Sequence, residues 1–416
     1  MIRNLAYFRT VKNKIPLSKN QWLVVAILAL TQFTVVLDFM VMSPLGDLLM
    51  KDLKVQPTQF GIVVSSYALA AGVSGFFTAG FADRFDRKRL LVFFYSGFII
   101  GTLFCGLAQS YYQLVGARIF TGIFGGVMSS ISMAIVADLF SLQQRGRVMG
   151  FIQMGFGLSQ ILGIPIALFI AGKSNWQMPF YLIVFLSLIM LTTIIFGLNP
   201  IGNHLKNNRE QSAFGHLLKT IQNRNYRIGF LATAFMSLGG YLMMPWGSAF
   251  AVNNVGITQE QLPLLFMIVG TSTFLIMPLI GWLADKINKF QLFMGASLIM
   301  TLSVVIYVRL DQTSFLTLLL VNALMMCGIM ARMVPSQALT SAVPSLHDRG
   351  AFMSINSSLQ QIAGGIAALI GGKIVWQASP ESPLMNFRLL GWVVICVILI
   401  NIFLTHRVYK YVQSQT

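Results

Sequence analysis

The sequence predicts an all-α membrane protein: twelve transmembrane helices in two six-helix, pseudo-symmetric bundles. Three observations predict it. Of 416 residues, 56% are hydrophobic and 10% charged, with a mean hydropathy of +0.73, whereas soluble domains carry roughly 25% charged residues. Apolar runs long enough to cross about 30 Å of hydrocarbon recur along the whole chain. The second half of the chain repeats patterns of the first.

The runs fall at 22–44, 60–79, 90–109, 113–140, 148–171 and 178–198 in the first half. After a polar stretch they resume at 228–250, 262–284, 291–309, 315–343, 351–376 and 387–405. Each reaches about twenty residues, the length at which a helix with 1.5 Å rise per residue spans the core. Residues 1–19 are basic, and the run that follows is long enough to remain as a helix rather than be removed as a signal peptide.

The net charge of +17 is spread over short loops between apolar runs rather than over one soluble face, so nucleic acid is excluded as a partner and the lipid bilayer is implied. With the N-terminus taken as cytoplasmic, loops on that side hold Arg84, Arg87, Lys88, Arg89, Arg145, Arg147 and the basic residues of 199–227. The other side holds only Lys51, Lys54, Lys173, Arg309, Lys373 and Arg388. That bias predicts a multi-pass protein of the plasma (inner) membrane with both termini cytoplasmic. The organisation is therefore an N-terminal bundle (1–198), a cytoplasmic linker (199–227) and a C-terminal bundle (228–416).

The halves repeat. Residues 141–149 (SLQQRGRVM) reappear as 345–353 (SLHDRGAFM), and 160–176 share Ile, Ala, Gly, Lys and Trp positions with 360–376. Parallel repeats of six spans place a binding site between them near the midplane and permit one half to rock against the other.

Between the second and third spans lies AGFADRFDRKR (79–89), and GWLADKINK (281–289) occupies the same place in the second half. These resemble the cytoplasmic signature loop of the major facilitator superfamily, and the likeness extends over the chain through the helix count, the linker and both loop copies. Ala79 and Asp86 depart from the family's glycines. The resemblance implies that Asp83 latches to the N-terminus of the eleventh span and Asp285 to that of the fifth, with Arg84, Arg87 and Lys286 as basic members of the latch. A carboxylate at a helix N-terminus is worth about 0.3–1 kcal/mol. The alternative is that these are loop charges that set topology.

The fourth span carries RIFTGIFGG (118–126), similar to the family's second motif, a buried Arg followed by glycines. An intramembrane Arg costs about 2.5 kcal/mol or more at a helix centre, so it faces the interior and has a partner. Asp38 is read as that partner, being the acid deep inside an apolar run. Both residues lie roughly 8–9 Å from the outer ends of their spans. Opposed burial and charge effects on a carboxyl are what a proton carrier needs, so Asp38 and Arg118 are the candidate proton-coupling pair; a structural ion pair is the alternative.

In the fifth span, Gly155, Gly163 and Pro165 form a degenerate version of the motif that the family associates with antiporters. Methionines and aromatics, among them Met42, Tyr241 and Trp246, are candidate walls of an adaptable substrate cavity. Arg332 either joins them or snorkels toward the cytoplasm. His204, His216, His347 and His406 fall in loops or ends, and Cys105, Cys327 and Cys396 are widely spaced, so no metal site is expected. No zinc-protease, nucleophile-elbow or P-loop pattern occurs, which argues against an enzyme and against primary active transport.

These readings converge on a secondary transporter, monomeric, that uses no bound cofactor and draws on the proton gradient. The expected partners are protons and a small-molecule substrate, hydrophobic or amphipathic, moved outward by antiport. Proton-coupled import of a sugar or other metabolite is the alternative.

Overall fold

A computed structural model of the chain describes residues 16–81, 84–202, 205, 213–345 and 347–415. In the first half, α1 (Lys19–Val41), α3 (Pro57–Phe81), α4 (Arg87–Leu107) and α9 (Met178–Gly197) are single-helix spans. The fourth span is α5 (Tyr111–Gly125) continued by α6 (Met128–Leu139), and a short α2 (Gly46–Leu53) follows α1. The fifth is α7 (Leu142–Leu158) and α8 (Ile164–Lys173), joined by a π-helical turn at Ser159–Gly163. A linker helix, α10 (Ala213–Gln222), precedes the second half. There the seventh span is α11 (Arg227–Tyr241) with α12 (Gly247–Asn253), followed by α13 (Leu262–Lys286), α14 (Lys289–Tyr307), α15 (Phe315–Thr340), α16 (Arg349–Ile374) and α17 (Phe387–Gln413).

Among the described residues, eleven spans are long and apolar enough to cross a membrane. The remaining one, α16, is 26 residues long and buries polar Asn356 and Ser358 inside the protein. It tolerates them because it packs along α3 rather than standing alone in lipid. The spans alternate in direction, so the described chain ends share one face of the bundle, here called the terminal face, opposite a far face.

Local sequence sets where helices begin. Ser18 and Gln21 form a reciprocal capping box at the start of α1. Asp86, standing where the family pattern has Gly, accepts a hydrogen bond from the Arg89 N–H at 3.0 Å and caps α4. Asn288 does the same for α14 at the matching place in the second half. The departure at position 86 thus supplies a helix cap, worth about 1 kcal/mol.

The two halves meet most extensively along α3 and α16. Small residues allow it: a Cβ placed on Gly72 would stand 2.6 Å from Ile362 Cγ1 and 2.8 Å from the Ser358 carbonyl oxygen. Without a hydrophobic driving force in lipid, this close backbone approach and its van der Waals contact hold the helices together. Gly72→Leu should therefore push the halves apart and reduce transport severely while leaving each half folded. Transport assays beside limited proteolysis check this; wild-type turnover in the variant would show that the contact is not needed.

On the far face a second junction forms between α2 and α12. Ser248 Oγ donates to the Ser43 carbonyl at 3.0 Å, Ser43 Oγ donates to the Met244 carbonyl, and Thr58 Oγ1 donates to the Gly372 carbonyl at 2.7 Å. On the terminal face, α10 lies against both α3 and α16. Asp348, just ahead of α16, accepts hydrogen bonds from Tyr226 at 2.7 Å and Ser345 at 3.0 Å. Together with His216 and His347, Tyr226 first among them, these donors hold its carboxyl well below the usual carboxylate range.

Candidate functional site

The fourth span is drawn deep into the first half by its glycines. A Cβ on Gly122 would lie 2.4 Å from the Tyr67 carbonyl oxygen, and one on Gly126 would lie 2.5 Å from Ala71. This contact carries Arg118, 1% exposed, to the centre of the half, where Nη1 donates to Asp38 Oδ2 at 2.8 Å. Asp38 is fully buried, and its other oxygen, Oδ1, accepts from the Thr102 hydroxyl at 3.1 Å. Arg118 stands 4.4 Å over the Tyr67 ring, a cation–π contact that offsets some of the desolvation cost, while its Nε is buried with no hydrogen-bond partner among the described residues. Helices α1, α3, α4 and α5 each contribute one side chain.

From this pair an aromatic path leads to the other half. Phe39, next to Asp38 in sequence, sits 5.3 Å from Tyr67 and 6.0 Å from Tyr241, ring centre to ring centre. Tyr241 in turn rests on Gly364 of α16. Met42 is buried in the first half, and Trp246 packs edge-on against Phe60 at 5.7 Å, within the far-face junction. Arg332 reaches neither solvent nor this path. It is buried between α14, α15 and α17, with Nη2 donating to Asn401 Oδ1 at 3.0 Å, Met300 Sδ 2.8 Å from Nη1, and Phe293 beneath the guanidinium.

The fifth span approaches the first through Gly155, where a Cβ would lie 2.3 Å from the Ala29 carbonyl oxygen, and through Gly163, which meets Leu37. Its π-helical turn ends just before Pro165, whose ring cannot continue the regular hydrogen-bond ladder. Ser159 in that turn donates to the Phe33 carbonyl at 2.8 Å. The turn therefore binds to α1 five residues before Asp38, and the same segment touches α13 of the second half at Gly270.

Sequence reasoning missed Asp47. It lies beyond the first apolar run and reads as an outer-loop charge, yet its side chain is 1% exposed. Lys51 Nζ reaches Oδ2 at 2.8 Å within α2. From the other half, Asn253 Nδ2 donates to Oδ1 at 2.6 Å, and Gln259 Nε2 donates to Oδ2. The signal available was the Asp-x-x-x-Lys spacing, which places the pair on one helical face directly after a span.

The profile of the Major Facilitator Superfamily matches residues 28–368 and 229–413. The chain belongs to that superfamily. Its superfamily relatives include the uncharacterized MFS-type transporter YbcL of Bacillus subtilis, 24% identical and covering 87% of this chain and 91% of the relative. Multidrug resistance protein 2 of the same organism is 24% identical over 82% of this chain and 86% of its own. Among solved structures, a bacterial homolog of the human lysosomal transporter Spinster, in an inward-facing and unoccupied conformation, superposes with a TM-score of 0.76 at 14% identity. It covers 96% of this chain and 99% of that one. The chain is thus a multi-pass membrane transporter with the Major Facilitator fold.

Of the superfamily's loop residues, Asp83 lies outside the described residues. Arg84 is exposed, and Arg87 bonds from Nε to Asp138 Oδ2 at 2.9 Å, joining the start of α4 to the end of α6 within one half. In the second copy, Asp285 is exposed and Lys286 stands 4.0 Å over the Trp282 ring. The start of the fifth span, where the latch would place Asp285, is capped by Ser141 and Gln144.

Proposed function

We propose that this transporter is a proton-coupled exporter of a small hydrophobic or amphipathic molecule, with Asp38 carrying or gating the coupling proton and Arg118 balancing its charge. The observation that carries the reading is the sealed Asp38–Arg118–Thr102 cluster at the head of an aromatic path between the halves. A carboxylate paired with one guanidinium can exchange that partner for a proton when a rocking motion opens the site. Because Phe39 and Tyr241 connect the pair to the opposite half, the same motion that changes access also disturbs the cluster. The likeness to a multidrug resistance protein over most of both chains favours an apolar cargo and outward direction. In this reading both termini face the cytoplasm of a plasma membrane, the chain works as a monomer, and Asp83 and Asp285 bias the terminal face toward closure.

Proteoliposomes with an acidic lumen and a fluorescent lipophilic dye outside test it. Antiport predicts dye accumulation that collapses with a protonophore. Accumulation driven instead by an acidic exterior would mean symport, and accumulation indifferent to the pH gradient would remove the proton from the mechanism.

A further inference from the structure

The histidines of this chain are scattered in sequence, yet folding gathers two of them. His216, on the linker helix α10, places Nε2 2.9 Å from Asp348 Oδ1. His347 places Nδ1 3.0 Å from the same oxygen. These ligand-type atoms all lie within 4.8 Å of one another. The second carboxylate oxygen, Oδ2, is held by the hydroxyls of Tyr226 and Ser345, so Oδ1 is turned toward the imidazoles. We infer that His216, His347 and Asp348 form a binding site for a divalent transition-metal ion of the zinc class, clamping the linker helix to the loop ahead of α16.

Chemistry and geometry both fit. Two imidazole nitrogens and one carboxylate oxygen are a donor set that suits Zn²⁺ and its neighbours rather than Mg²⁺ or Ca²⁺. Bonds of about 2.0–2.2 Å in a tetrahedron put ligand atoms roughly 3.3–3.6 Å apart. The two N···O spacings of 2.9 and 3.0 Å therefore need to widen by about half an ångström, and the two imidazole nitrogens, within 4.8 Å of each other, need to settle at the same separation. Tyr226 and Ser345 supply the outer hydrogen bonds that orient a ligating carboxylate. The His347 side chain is 74% exposed, which leaves an entry path and a fourth position for water. Without an ion, both rings must donate to a single oxygen; an ion accepts a lone pair from each donor and removes that competition.

The site has a mechanical consequence. Helix α10 contacts α3 of the first half and α16 of the second, so fixing α10 to the loop at Asp348 ties the linker into the junction of the halves. Loading with metal should therefore raise thermal stability by mass action and slow turnover.

The test uses full-length protein, purified through a tag without histidines, in detergent near neutral pH. Titration with Co²⁺ is followed by visible d–d absorption, and Zn²⁺ displacement by calorimetry. We expect one ion per chain, reversal by chelator, and affinity lower by about tenfold or more in His216→Ala and in His347→Ala. His347→Cys should retain binding because thiolate also ligates zinc, and His406→Ala should behave as wild type. No stoichiometric binding by the wild-type protein, or binding unchanged in both alanine variants, would overturn the site. The exposed His347 substitution leaves the buried core untouched, so loss of folding does not confuse the outcome.

Discussion

Asp38→Asn protein should bind and exchange substrate across a membrane but fail to concentrate it, with uphill accumulation falling to background and the pH dependence of binding lost. Asn occupies the same space and still offers an oxygen to Arg118, so geometry survives while the titratable group does not. What remains is a guanidinium, 1% exposed, without a counter-charge. Breaking a buried pair by neutralising one partner costs about 3–5 kcal/mol, less whatever the Asn oxygen recovers. The melting temperature should drop accordingly. The double variant Asp38→Asn/Arg118→Leu separates the two effects, because removing both charges relieves the penalty on a lone ion. It should recover stability and stay uncoupled. A double variant that still accumulates substrate against a gradient, with the wild-type pH profile, would reduce the pair to helix packing and place the proton elsewhere.

The second large effect is expected at the far face. Asp47→Ala removes the acceptor for Asn253 and Gln259, the two hydrogen bonds that cross between halves at this carboxylate. Hydrogen bonds to a charged group contribute about 1.5–3 kcal/mol each. Losing two should favour opening of the far face by roughly 10²-fold or more, since every 1.4 kcal/mol is tenfold. Coupling should persist, in contrast to the Asp38 variant, while turnover falls because the return to the closed form becomes slow. A cysteine at Ser43, buried in that junction, reports the change when Cys105, Cys327 and Cys396 are first replaced by Ala. Its alkylation by an impermeant maleimide should rise sharply in the Asp47→Ala background. Equal labelling with and without Asp47 would show that the junction is held by its other hydrogen bonds, those donated by Ser248 and Thr58.

Much of this protein was legible in the sequence because membrane insertion is governed by local quantities. Hydropathy over about twenty residues fixes a span, and the equal depths of Asp38 and Arg118 in their helices name each as the other's partner, because a lone charge in hydrocarbon is too costly. The glycines after Arg118 could be read as close-approach positions but not assigned a neighbour. Arg332 left two readings open, and neither could name its contacts: Asn401 and Met300, distant in sequence, supply them. Hydropathy carries no information about which helix face meets which partner.

By itself, then, the sequence determined the twelve spans and the charged pair within the first half, which follow from the energy of placing each segment in a bilayer, and the two-half repeat, which follows from matched residues such as 141–149 and 345–353. Tertiary structure alone decided what happens where segments far apart in sequence converge. Asp47 is a loop acid until α12 closes over it, and His216 and His347 are surface histidines until α10 docks beside Asp348. The physical reason is that hydrogen bonds and ligand geometry act over about 3 Å. Only the packing of helices, here permitted by the small residues along α3 and α16, brings such distant groups within that range.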